Sequence, residues 1–279
     1  MNKLAILIPN YNGAKFILNT IGFYKSFFPS SQIIVVDDSS TDNSVEILKS
    51  LDIILIQKNS NGGFASSVNV GLNYLLKTDF KYILVSNSDV VLTHNSSDEI
   101  KKSISLFECN SKLGVLGFIE SDINNVKTRI GSDISGFLFC LTLEVVKNIG
   151  FLDERFFMYG EEQDYFRRVL RGNFEILQTN IYVGHSVEGS GKSKLRNSWL
   201  SIRNSIFLEA KDFNLFQTLK KIAVLFLLIN KIYKPKAVND PSLNRIYRPG
   251  IFLGNIFLIS AIFWNIFAIF KPRTSFNEP

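Results

Sequence analysis

Gln32-Ile33-Ile34-Val35-Val36-Asp37-Asp38-Ser39-Ser40-Thr41-Asp42 passes from an apolar run straight into a polar cluster. A short apolar run without alternation marks a strand buried on both faces, as the strands of parallel sheets are. The cluster falls at the end of that strand, where Thr41 or Asp42 can cap a helix over Asp42–Ser50. Leu4–Ile8, Ile53–Gln57 and Tyr82–Ser86 have the same apolar character, and Ala14–Phe27 and Phe64–Leu76 read as helices between them. Such alternation predicts an α/β fold with a mostly parallel sheet and ligands bound beyond the carboxyl ends of its strands. Further strands are expected at Leu113–Phe118, Gly136–Thr142 and Glu175–Gln178, and a helix at Glu161–Leu170. From Ser193 onward the pattern becomes helical, broken at Lys234-Pro235 and Arg248-Pro249-Gly250.

The other strand ends carry polar clusters of their own. Asn87-Ser88-Asp89 follows Tyr82–Ser86, and two oxygen ligands at i and i+2 can face one cation; an Asx turn is the bland alternative. Ile8-Pro9-Asn10-Tyr11-Asn12 ends the first strand in a turn. Asn61-Gly62-Gly63-Phe64 precedes a helix, so its backbone amides can approach phosphate or ribose, or form a plain turn. At Asp37 and Asp38 a carboxylate can accept from a pyrimidine base or a ribose hydroxyl. Phe156-Phe157-Met158-Tyr159-Gly160-Glu161-Glu162-Gln163-Asp164 opens the helix at Glu161 with acids that the macrodipole favours in any case. Asp164 and Arg168 stand four apart and can pair on one face. No Lys or Arg lies three or four residues from Glu162 in this run, so Glu162 is the candidate proton acceptor, flanked by Glu161 and Asp164.

Of the two histidines, His94 reads as a solvated loop residue. His185 lies in a small-residue loop that continues through Ser190, Lys192 and Ser193, where the imidazole can bind a metal or a diphosphate and the others can donate to phosphate oxygens.

Charge is divided unevenly. Residues 1–189 hold 17 Lys/Arg against 21 Asp/Glu, net −4, whereas residues 190–279 hold 14 against 4, net +10. The basic part also contains Ile251–Phe270, with 16 apolar residues in 20. Basic and apolar together point to an anionic membrane surface, where each Lys or Arg gains about 1 kcal/mol. Nucleic acid is not expected, because no binding motif accompanies the charge. At 1.5 Å per residue those 20 residues reach about 30 Å, enough to span a bilayer. Gly254, Asn255 and Asn265 fall within an arc of about 100°, and that polar stripe favours a helix lying in the interface over a span or burial against protein, a second subunit included. Cys109 and Cys140 form no metal or disulfide pattern, so a reducing compartment fits. The short apolar run at Leu4–Ile8 reads as the first strand of a cytoplasmic domain and not as a signal peptide.

Taken in order, Ile6–Tyr11, Val35–Asp42, Asn61–Phe64, Asn87–Asp89, Phe151–Arg168 and His185–Ser193 resemble the motifs of the inverting family-two glycosyltransferases, above all bacterial rhamnosyltransferase-like enzymes of surface polysaccharide synthesis. The resemblance implies a GT-A fold over residues 1–205, a nucleoside-diphosphate sugar donor, expected to be a dTDP- or UDP-sugar, and Mg²⁺ or Mn²⁺. The basic, apolar helical region 206–279 is the part expected to dock on a membrane or form a dimer contact, and it suits a lipid-linked saccharide acceptor at the inner face of the cell membrane. Pro9, Tyr11, Asp37 and Gly63 then surround the nucleotide, Asp89 and His185 hold the metal, and Glu162 matches the base. Asn87 and Glu162 stand where the family often has Asp, so Asn87 either binds the cation weakly or turns to the sugar. Asn87 also keeps open a catalytically silent nucleotide-sugar or membrane-binding partner. Nucleotidyl transfer would need a Gly-rich basic loop after the first strand, which Pro9-Asn10-Tyr11-Asn12-Gly13 does not provide.

Overall fold

The computed structural model describes residues 3–122, 136–186, 194–230 and 251–271. The chain forms two compact units, one of Met1–Leu152 with Tyr165–Ser190, the other of Asp153–Asp164 with Gly191–Pro279. This differs from the expected division at residue 205. Asp153–Asp164 and the helix Lys194–Ala210 both belong to the second unit, where Lys211 binds Asp153 at 2.7 Å and Asp164 at 2.6 Å.

The first unit is built on an eight-stranded sheet in the order β3-β2-β1-β4-β7-β6-β8-β5. Its strands are β1 (Leu4–Asn10), β2 (Gln32–Asp37), β3 (Ile54–Gln57), β4 (Tyr82–Ser86), β5 (Val90–Val91), β6 (Leu113–Asp122), β7 (Leu138–Thr142) and β8 (Glu175–His185). Pairs β1/β2, β1/β4, β2/β3 and β6/β8 are parallel, while β7 runs antiparallel between β4 and β6, and β5 antiparallel to β8.

The apolar runs are continuous because helices cover both faces. Successive side chains of a strand point to opposite faces. Ile6, Ile8, Ile33, Val35 and Leu84 therefore pack with Ile17, Ile21 and Tyr24 of α1 (Ile17–Phe27) and with Ile100 and Ile104 of α4 (His94–Ile104). The alternate residues Ala5, Leu7, Ile34, Val36, Ile83 and Val85 pack with Val68 and Leu72 of α3 (Gly63–Leu75) and with Val145 and Val146 of α6 (Leu143–Ile149). Each such Ile, Leu or Val side chain, fully buried, contributes about 1.5–3 kcal/mol. A Cβ at Gly71 would stand 2.1 Å from Leu7 Cδ1, so the absence of a side chain there is what lets α3 approach β1. Two short helices, α2 (Ser44–Lys49) and α5 (Leu106–Cys109), complete this layer of connections.

Beyond the short β5, α5 and α6, which the sequence reading did not name, two elements depart from expectation. Residues 94–104 form a helix because Thr93 and Ser96 cap each other's backbone N–H groups, a capping box with Ser in the place usually held by Glu or Gln. His94 remains exposed there, with the Phe27 ring edge-on at 4.8 Å. β8 runs on to His185 because a register shift near Thr179 absorbs the polar interruption, with Thr179 Oγ1 donating to Gly117 O at 2.9 Å. His185 is thus a strand residue, not a loop residue.

In the second unit a 3₁₀ turn (Glu154–Phe156) precedes α7 (Glu161–Arg171), whose first residues lie in this unit; α8 (Lys194–Ala210), α9 (Leu215–Ile229) and α10 (Ile251–Ala268) follow. Gly254, Leu258, Ala261, Asn265 and Ala268 form the buried stripe of α10. Asn265 Nδ2 donates to Arg203 O at 3.0 Å, Asn255 and Asn230 exchange amide bonds at 3.1 Å, and Trp199 Nε1 donates to Ser260 Oγ at 3.3 Å. Gly254, Asn255 and Asn265 therefore lie on the contacts of α10 with other helices and not on a water-facing stripe, which corrects the sequence reading. The opposite face is apolar and open, with Phe252 81%, Phe263 60% and Phe267 70% exposed. By length and mean hydropathy, 2.0, α10 is the candidate membrane span among the described residues.

Candidate active site

The loops after β1 and β2 are tied to each other. Asp37 is buried and accepts from Asn10 Nδ2 at 2.9 Å, Ser40 Oγ at 2.6 Å and Ser40 N at 2.9 Å. Asn12, at φ 52°, accepts from Thr41 N at 2.7 Å through its side chain. Asp42 accepts from Ser44 N and Ala14 N at 3.0 and 3.1 Å; burial opposes its charge, but these bonds and the Ser44 hydroxyl hold its carboxyl below the usual range. Pro9 lies past the last β1–β4 pair, Leu7 with Val85, so no bond to β4 is lost there. Tyr11 is exposed beside these loops.

Asp38 has a different office from the one its position suggests. Lys58 Nζ meets its Oδ1 at 2.5 Å, and the N–H groups of Gly62 and Gly63 donate to its two oxygens at 2.9 and 2.8 Å. The two glycine amides, expected to approach phosphate, instead bind this carboxylate. Gly63 sits at φ 85°, a conformation open to glycine, which lets both amides turn toward it.

The candidate metal ligands converge. His185 Nε2 lies 3.0 Å from Asp89 Oδ1 and 3.2 Å from Asn87 Nδ2, although Asn87 and His185 are 98 residues apart. β5 makes the meeting, since Val90 pairs with His185 and Ser186 N donates to Asp89 O at 3.0 Å. Glu120 Oε1 holds the other imidazole nitrogen, Nδ1, at 2.8 Å. Burial disfavours the imidazolium, but Asp89 and Glu120 outweigh it and raise the His185 pKa to about 9. The 3.0 Å contact is a hydrogen-bonded ion pair as it stands, and a cation held by these two atoms would take the place of the Nε2 proton. A carboxylate on Nδ1 is the usual support of a metal-binding histidine. Among the described residues no group of three His, Cys, Asp or Glu is arranged to hold an ion by itself, so further oxygens would come from a bound molecule.

Glu161, Glu162 and Asp164 belong to the second unit, apart in the chain's division from Asp89 and His185. Their environments differ. Asp164 Oδ1 binds Lys211 at 2.6 Å, a partner that spacing to Arg168 did not suggest. Arg168 donates to the carbonyls of Ile149 and Phe151 at 3.1 and 2.8 Å. Glu161 is buried and interacts with Arg203, whose pKa burial lowers to about 10 against the pull of that carboxylate. Glu162 is half-buried, and its Oε2 accepts from Gly160 N at 3.1 Å. Lys192 lies outside the described residues. Sequence reasoning missed Lys58, Glu120, Arg203 and Lys211. Lys58 alone had a local signal, since it directly follows β3.

Residues 5–168 match the model of glycosyl transferase family 2. The low-salt glycan biosynthesis hexosyltransferase Agl10 of Haloferax volcanii is 22% identical over 271 residues, covering 85% of this chain and 87% of that protein. Among solved structures, a Pyrobaculum calidifontis mannosyltransferase in complex with GDP-mannose and Mn²⁺ superposes with a TM-score of 0.61 at 14% identity, over 95% of this chain and 87% of that one. Glucosyl-3-phosphoglycerate synthase of Mycobacterium tuberculosis, with Mn²⁺, UDP and phosphoglyceric acid, gives 0.57 at 12% identity, over 75% and 78%. These likenesses show the GT-A fold.

Proposed function

The chain belongs to glycosyl transferase family 2, and from that premise we propose that it is an inverting, cation-assisted enzyme that moves a sugar from a nucleoside-diphosphate donor to a lipid-linked saccharide during surface polysaccharide synthesis. The observation that carries this reading is the meeting at 3.0 Å of Asp89, just past the end of β4, with His185, the last residue of β8. Asp89, His185 and Asn87 would hold Mg²⁺ or Mn²⁺, which when bound supplies charge neutralisation at the leaving diphosphate. Glu162 takes the proton of the acceptor hydroxyl as its oxygen bonds to the anomeric carbon. The bond from that carbon to the diphosphate oxygen breaks on the opposite face, through an oxocarbenium-like state, and the configuration inverts. dTDP-rhamnose and UDP-sugars are the donors we favour. The mannosyltransferase with bound GDP-mannose and Mn²⁺ supports a nucleotide sugar and a divalent ion in general.

For the acceptor, the open apolar face of α10 and the net charge of +10 over residues 190–279 support docking on the anionic inner face of a membrane. Co-sedimentation with anionic but not zwitterionic vesicles is expected; concentration-dependent dimers without lipid binding would reassign the face to a second copy.

The activity is tested with dTDP-rhamnose, UDP-glucose, UDP-N-acetylglucosamine and GDP-mannose, each with Mn²⁺, by release of nucleoside diphosphate. One donor should turn over, excess EDTA should stop it, and Glu162→Gln should lower kcat about 10²–10⁴-fold with donor binding kept. Wild-type turnover in Glu162→Gln would remove the base, and donor binding without any turnover, acceptor supplied, would leave a silent partner.

A further inference from the structure

The backbone that leads into α7 is strained. Phe157, Tyr159 and Gly160 have φ values of 65°, 74° and 92°, and for bulky aromatic residues such values persist only where surrounding contacts impose them. Those contacts come from Arg203 and Asn204 in the middle of α8. Asn204 Nδ2 donates to three carbonyls of the turn, Phe156 at 3.0 Å, Met158 at 2.8 Å and Tyr159 at 2.6 Å. Its Oδ1 accepts from Arg203 Nε at 2.7 Å, which fixes the amide so that its nitrogen faces the turn. Arg203 Nη2 donates to Arg155 O at 3.0 Å and also to Phe156 O. The Arg203 guanidinium is itself held against Trp264 and Trp199, 4.1 and 5.1 Å from their ring centres.

The peptide between Tyr159 and Gly160 joins this clamp to the acid. Its carbonyl oxygen accepts from Asn204, and its N–H donates to Glu162 Oε2 at 3.1 Å. A peptide is planar and trans, so its C=O and N–H point in opposite directions. Fixing the oxygen aims the N–H, and aiming the N–H fixes the carboxylate that accepts it. We propose that Asn204, oriented by Arg203, is the positioning residue that sets the direction of the Glu162 carboxylate through the Tyr159–Gly160 peptide. This rests on the reading of Glu162 as the base.

A double-mutant cycle on kcat tests it, with Mn²⁺ and whichever of the four nucleotide sugars above turns over. Asn204→Ala should lower kcat about 10²-fold, the scale of a misplacement near 1 Å, with the Kd for the matching nucleoside diphosphate and Mn²⁺ unchanged. In the Glu162→Gln background the same change should have no further effect, because the group it positions no longer acts. Should Asn204→Ala fail to fold, Asn204→Asp keeps the shape and the bond to Arg203 while presenting oxygen to the carbonyls, and the cycle is run with it. Independent losses that multiply, or wild-type kcat in the folded variant, would overturn the proposal. Full activity of Glu162→Gln alone would instead remove the base on which it rests.

Discussion

The two units of the chain hold their acidic residues by opposite means. In the first, carboxylates at strand ends are bound by neighbouring loops, as Asp37 is by Ser40 and Asp38 by Gly62, Gly63 and Lys58. In the second, Asp153, Glu161 and Asp164 each reach α8 or the residue that follows it, roughly 40 to 60 positions further on. Asp153 is bound by Arg155 and Lys211, and Lys211 reaches Asp164 as well. A sheet brings its loops together as a by-product of strand pairing, whereas a turn between helices has to be fixed by dedicated side chains.

That contrast can be broken most severely at Lys211. Lys211→Met leaves two buried carboxylates short of a cation and should destabilise the second unit by about 3–5 kcal/mol. Hydrogen exchange should show the loss in α8 and the start of α7 and spare β1–β4; uniform loss would mean that the units do not respond separately. Acid acts on the same network. Burial by itself would raise the Asp153 pKa, but Arg155 and Lys211 hold it well below the carboxylate range. A depressed pKa gives stability that is present above the unfolded value, about 3.9, and lost as pH falls beneath it. The second unit should therefore weaken below about pH 4, and Asp153→Asn should flatten that dependence in thermal unfolding.

In the first unit, Glu120→Gln should weaken Mn²⁺ binding about 10–100-fold, read by the paramagnetic resonance of free Mn²⁺ in the presence of UDP. Unchanged affinity would detach Glu120 from the proposed ion. The smallest effect is expected at the α4 cap, where Thr93→Ala should cost about 1 kcal/mol in denaturant unfolding without altering donor turnover.

The sheet was legible where burial on both faces left only apolar residues to read. Tyr82–Ser86 is the observed β4 residue for residue, and the strand-end residues Asp37, Asp38, Asn87 and Asp89 stood out for the same reason. His185 read as a loop residue because Thr179 and Asn180 interrupt the alternation where the register shifts. α4 went unread because its cap pairs Thr with Ser. Asn265 and Gly254 read as a solvent stripe because composition does not tell a helix's packing face from its wet one. Glu120 and Arg203 gave no local signal at all, since each acts on groups about 50 to 65 positions away.

The close approach of α3 to β1 bears on how this sequence can drift. Leu7 and position 71 share a single volume, so a methyl gained at one must be matched by carbon lost at the other. Descendant sequences should show the two sites changing together: Ala or Ser at 71 accompanied by Val or Ala at 7, with the paired exchange recovering stability that either step alone gives up.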